Sequence, residues 1–131
     1  MFSADSNRKL VGARGEIAVR THLEGLGWRI LAANYRCAQG EMDLIAYDIS
    51  GTDATIVFVE VKTRRSTRHG AAAEAVGPRK QRRLASIAAA YLAEQQVGGE
   101  EPACRFDVAE VMLGPDGLMQ VELRHSAFIS D

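Results

Sequence analysis

The stretch Ile56-Val-Phe-Val-Glu-Val-Lys62 limits the possible folds of this chain more than any other. Its strict alternation is that of a β-strand, in which successive side chains point to opposite faces of the sheet. Ile56, Phe58, Glu60 and Lys62 therefore share one face, and Val57, Val59 and Val61 share the other. Both faces begin apolar, which predicts a central strand covered on each side. A carboxylate and an ammonium on such a strand cost several kcal/mol per ion to bury unless paired or metal-bound. The two charges thus call for partners, and a metal-dependent site is one way to provide them.

The rest of the chain supplies an α/β frame for that strand. A helix is expected from Asn7, a candidate N-cap, to about Leu26, with Leu10, Val11, Ala13, Ile17, Ala18 and Thr21 on its apolar side. Gly12 and Gly15 inside it suggest close packing on a neighbour. Strands are expected over 28–33, 41–47 and 55–63. The polar turn Asp48-Ile-Ser-Gly-Thr-Asp53 makes the last two a hairpin, and Glu41, Asp43 and Ile45 are expected on one face of the second strand. A second helix follows over 78–95, with Pro78 at a permitted first-turn position and a stripe of Leu84, Ala85, Ala88, Tyr91 and Leu92 that includes Gln81. Strands over 104–113 and 118–124 flank the turn Gly114-Pro-Asp-Gly117. The order is helix, three strands, helix, two strands. A chain of 131 residues fits one domain over 1–131, with residues 1–6 expected to be flexible.

Composition excludes little, but charge placement is informative. With 47% hydrophobic and 25% charged residues the chain is of ordinary globular type. The net charge is −1, yet Lys62 to Arg83 holds eight Lys or Arg against Glu74 alone, a local +7 balanced by −8 elsewhere. Arg64, Arg65 and Arg68, and then Arg79, Lys80, Arg82 and Arg83, form a candidate phosphate-binding surface; the bland reading is a solvated face. Cys37 and Cys104 lack metal-ligand spacing and read as reduced thiols. The N-terminus lacks signal-peptide character and no segment reaches ~20 apolar residues, so a cytoplasmic protein is expected. His22, His69 and His125 show no ligand spacing. Trp28 and Tyr91 read as packing residues, and 6% aromatic content argues against a base-stacking platform.

Asp43 and Glu60 fall on adjacent strands, so a suitable register brings two carboxylates together as hard ligands for Mg²⁺ or Mn²⁺. Lys62, on the face of Glu60, could orient an attacking water and stabilise the charge that develops on a phosphoryl group. Such a set suits phosphodiester hydrolysis. The alternative is a cross-strand ion pair on a solvated sheet face. Glu41 reads as a rim residue; Asp107 either belongs to the site or pairs with a neighbouring Arg, and the structural role is preferred.

Asp43 followed by Glu60-Val-Lys62 on the next strand resembles the PD-(D/E)xK signature of restriction-endonuclease-like nucleases, with Met42 where the signature's name has proline. Gly15-Glu16, Asn34-Tyr-Arg36, Gly40-Glu-Met-Asp-Leu-Ile45, Val57-Phe-Val-Glu-Val-Lys-Thr-Arg64, Lys80-Gln81 and Arg105-Phe-Asp-Val108 together resemble the YraN-like family. That family comprises uncharacterised bacterial proteins predicted to be nucleases related to Holliday-junction resolvases. The resemblance implies a mixed central sheet flanked by helices and a Mg²⁺-dependent endonuclease acting on DNA, branched or structured DNA included. It implies Asp43 and Glu60 as metal ligands, Lys62 as the catalytic lysine, Glu16 as a further acidic member and Gln81 as a residue facing the site. A homodimer follows by analogy only. The competing readings are a non-catalytic nucleic-acid-binding module on the same scaffold, and a scaffold for a DNA-processing assembly.

Overall fold

The computed structural model describes residues 4–64, 77–95 and 102–125. Arg65, Arg68 and His69, named above, lie outside the described residues, as do residues 1–3. Helix α1 spans Ala4–Gly25 and is followed by strands β1 (Arg29–Cys37), β2 (Gly40–Asp48) and β3 (Thr55–Arg64). Helix α2 (Pro78–Glu94) leads to β4 (Ala103–Leu113) and β5 (Met119–Arg124). The sheet order is β1-β2-β3-β4-β5. β3 and β4 run parallel, joined across α2, and the other neighbouring pairs are antiparallel. This is the expected α/β order, helix–three strands–helix–two strands with a mixed sheet between helices, consistent with a restriction-endonuclease-like core.

β3 divides its residues between two cores, as its alternation requires. Val57 and Val59 join Val19, Leu23, Trp28, Leu44, Ala109 and Val111 under α1. Ile56 and Phe58 join Ile45, Leu84, Ile87, Tyr91 and Phe106 under α2. At roughly 25 cal/mol per Å² of apolar area, this burial on both faces is what tolerates charges at the strand's end.

Helix α1 departs from the expected pattern. It starts at Ala4, so Asn7 is not its N-cap. Its buried side is Gly15, Val19 and Leu23, while Leu10 and Ile17 are 49% and 62% exposed. The reason is close approach. A Cβ on Gly15 would collide with Thr63 Oγ1 of β3, so the helix docks through its smallest residue and turns the larger apolar ones outward. Gly12 has open space beside it and plays no such part. In α2, Leu84, Ala88 and Tyr91 are buried as expected, and Ile87 belongs with them. Gly40, at φ +145°, opens β2 directly beneath α2: a Cβ there would lie 3.2 Å from Ile87 Cδ1.

Candidate active site at the parting of β2 and β3

The site begins where the sheet's regularity ends. Pairing of β2 with β3 runs from Asp48–Thr55 to Leu44–Val59 and no further. Met42 and Ile45, three residues apart, both pack under α2, so alternation slips by one residue around Asp43. The facing strand slips too, since Ala32 and Tyr35 share the α2 side and Asn34 between them takes a positive φ of 53°. The expectation that Glu41, Asp43 and Ile45 share a face is therefore corrected. A paired irregularity in β1 and β2 re-aims Asp43, a common use of such breaks beside functional sites.

Asp43 turns into the gap between the strands. Its Oδ2 accepts a 2.7 Å hydrogen bond from the Val61 amide of β3. Burial raises its pKa above the usual aspartate range, and the charges of Glu60 and Glu41 raise it further, against the opposing Val61 hydrogen bond. Glu16, one helical turn before Val19 on the inner side of α1, feels the same crowding. Burial and then the charge of Asp43 raise its pKa, opposed by a hydrogen bond to Asn34 and by Arg20. The three acids Glu16, Asp43 and Glu60 thus come from α1, β2 and β3 to one end of the sheet. The raised carboxyls of Asp43 and Glu16, held by separate elements, are of the kind found at functional sites.

Glu60, on the α2 face, meets Lys80 from the first turn of α2. The ammonium lies 2.9 Å from Oε2 and 3.2 Å from Oε1. Beside the carboxylate is a recess whose lining includes Met42, Phe58, Leu84 and Phe106. Lys62, two residues on, is half-buried and stands in register with Glu110 of β4, itself buried and 3.6 Å from Arg124. Gln81 is half-buried beside Lys80. Glu41 pairs at 3.2 Å with Arg36 on an exposed rim, as expected. Among the basic residues, Arg79, Arg82 and Arg83 are exposed and Arg64 is half-buried at the end of β3. Lys80 differs from this group, because its charge is directed at Glu60.

Asp107 belongs elsewhere. It lies on the α1 face, with no side-chain exposure, and receives Arg105 through two bonds of 2.9 and 3.2 Å. Arg105 also reaches Asp48 at 3.2 Å and stacks 5.3 Å over Trp28, and His125 Nδ1 lies 2.8 Å from Asp107. This is the structural pairing with an Arg that the sequence suggested, extended to Asp48 and His125. Sequence reading missed the link from Glu60 to Lys80 and the part played by Asn34. Only the motif-like run Asn34-Tyr-Arg36 hinted at the latter.

Two carboxylates and a nearby lysine are hard-ligand chemistry. Among the described residues no group of three or more His, Cys, Asp and Glu could hold a metal ion unaided. Mg²⁺, however, is commonly held by one or two carboxylates with water and substrate phosphate completing its shell. Asp43 and Glu60 fit that partial donor set.

Residues 15–111 match the profile of Uncharacterised protein family UPF0102. The chain belongs to this family. A UPF0102 protein of Symbiobacterium thermophilum is 51% identical over 118 residues, covering 90% of this chain and 95% of that protein. One from Mycolicibacterium vanbaalenii is 45% identical over 86% of this chain and 88% of its own length. One from Burkholderia ambifaria is 42% identical over 99% and 84%. The UPF0102 match bears out the YraN-like resemblance and spans both strands of the candidate site. Among the described residues of this UPF0102 chain, no helix is long and apolar enough to cross a membrane.

Proposed function

We propose that this UPF0102 protein is a Mg²⁺- or Mn²⁺-dependent endonuclease that hydrolyses DNA phosphodiester bonds, branched or structured DNA included. The observation that carries the reading is the Asp43 carboxylate, half-buried, raised in pKa and electrostatically coupled to Glu60 where β2 and β3 part. Asp43 and Glu60 would hold the cation. A divalent ion bound there supplies Lewis acidity and a more acidic water. The Val61 amide fixes the Asp43 carboxylate in place before any ligand arrives. Lys62 would orient the attacking water and face the charge developing on the phosphoryl group. Glu16 would add negative charge from α1, and Gln81 a neutral donor and acceptor from α2. Arg64, Arg79, Arg82 and Arg83, with Arg65 and Arg68, would hold phosphates on either side.

A second reading, a nucleic-acid-binding module without turnover, draws support from Lys80, which already neutralises Glu60. Cleavage of labelled duplex and four-way-junction DNA with Mg²⁺ or Mn²⁺ separates the two. The parent should cleave, and Asp43→Ala and Glu60→Ala should lose cleavage while binding DNA, measured without divalent cation, as well or slightly better, since each loses a negative charge. Parental rates in either variant would remove that residue from the metal site. Salt-sensitive binding without cleavage in the parent would favour the second reading.

A further inference from the structure

The Glu60–Lys80 pair has a chemistry of its own. Lys80 sits in the first turn of α2, where the helix dipole is positive and a cation is disfavoured. That turn contains no acidic residue, and Arg79, Arg82 and Arg83 add to its positive charge. Gly77 caps it without a side-chain hydrogen bond. Its own helix therefore offers the Lys80 ammonium nothing. Instead it reaches across to β3 and covers both oxygens of Glu60, at 2.9 and 3.2 Å. Both side chains stay about one-third exposed, at 29% and 33%, so the contact can open to solvent. Lysine's flexible four-carbon stem allows that movement.

We infer that Lys80 is the built-in counter-ion of the carboxylate site, holding Glu60 until a divalent cation takes its place. The inference rests on the function proposed above. With the ammonium across both oxygens, a divalent cation can ligate Glu60 only by displacing it from at least one of them, and the two cations repel each other at that distance. Cation entry therefore releases Lys80 from that oxygen at the edge of the site. The released ammonium is then a donor for the phosphate that the cation also binds. Lys80 would make metal and DNA binding mutually reinforcing, with reciprocal coupling between the two.

The test is calorimetric titration of Mn²⁺ into the full chain, comparing the parent with Lys80→Met, Lys80→Gln, Lys80→Arg and the Asp43→Ala/Glu60→Ala double variant. The two neutral variants should bind Mn²⁺ ~3–10-fold more tightly than the parent, the range expected for removing a partly exposed competing charge. Lys80→Arg should stay near the parent, and the double variant should lose binding. Mn²⁺ binding detected in the neutral variants alone would support the inference in its strongest form. Equal or weaker binding in both neutral variants, with the parent binding normally, would overturn the inference and leave the nuclease reading standing. The same gain in Lys80→Arg would also overturn it, since charge would not be the cause. Absence of Mn²⁺ binding in every protein, with a phosphorothioate duplex present as well, would overturn both.

Discussion

Asp43 illustrates how a single residue can cost the fold stability. Its pKa is raised on folding, by burial first and then by neighbouring acids. The native state consequently holds the proton more readily than the unfolded chain does. In the window between the unfolded and the raised folded pKa, stability increases as pH falls; above that window the ionised carboxylate is a net burden. Asp43→Asn keeps the shape and can still accept the Val61 amide, yet carries no charge. At pH 7 it should melt above the parent by ~1–3 °C, about 0.5 kcal/mol once screening by the solvent reaching this half-buried group is allowed for. The difference should shrink as pH is lowered below the raised pKa. Thermal unfolding at neutral and acid pH checks both parts; a lower melting temperature at pH 7 would show that the charge is compensated. Lys62 could be read from alternation alone, because a strand with two apolar faces has few ways to end in Glu-Val-Lys. Lys80 could not, since nothing in the local sequence of α2 specifies a partner on β3.

At the scale of elements, the two ends of the sheet use charge differently. At the site, acids are gathered around Asp43, with Lys80 set against Glu60. At the other end, charges are matched: Arg105 of β4 spans Asp107 on its own strand and Asp48 at the end of β2, with Trp28 and His125 alongside. For Asp48, burial alone would raise the pKa, but hydrogen bonds from Ser50 and Arg105 outweigh it and the net direction is down. This contribution is present above the unfolded value and is lost as pH falls through the lowered one. Removing the centre of the network leaves Arg105 half-buried with one partner fewer. Asp107→Ala should cost ~3–5 kcal/mol, measured as a shift in the denaturant midpoint. A loss below ~1 kcal/mol would mean the network does not hold β4 to β2. Element boundaries were largely legible: β3 and α2 follow from alternation, Pro78 and the flanking turns. The packing side of α1 was not. Its apolar residues suggest Leu10 and Ile17 as the buried face, but contact with Thr63 at Gly15 rotates the helix so that Val19 and Leu23 go inward. Hydrophobic pattern ranks faces by area, whereas helix–sheet docking is also decided by how close the backbones come.

Across the whole molecule, a net charge of −1 conceals a basic segment from Lys62 to Arg83. If about five of those charges neutralise phosphates, log K for duplex DNA should fall against log salt with a slope near ~−4.5. Replacing Arg79, Arg82 and Arg83 by Gln should flatten that slope by up to ~2.7 if all three reach phosphates. Fluorescence anisotropy across a salt series measures both. A slope near zero in the parent would remove the basic surface from the functional argument.

What the sequence determined by itself was the periodic part of the protein: the order of elements, the central strand with two apolar faces and the basic segment. These depend on neighbours two to four residues apart, within reach of alternation and helical spacing. Tertiary structure alone decided which of those residues meet. Asp43 enters the site through matched irregularities in β1 and β2, Glu16 through the rotation of α1, and Lys80 through a crossing from α2 to a strand twenty residues earlier. Each depends on backbone separation and charge in three dimensions, which no local pattern encodes.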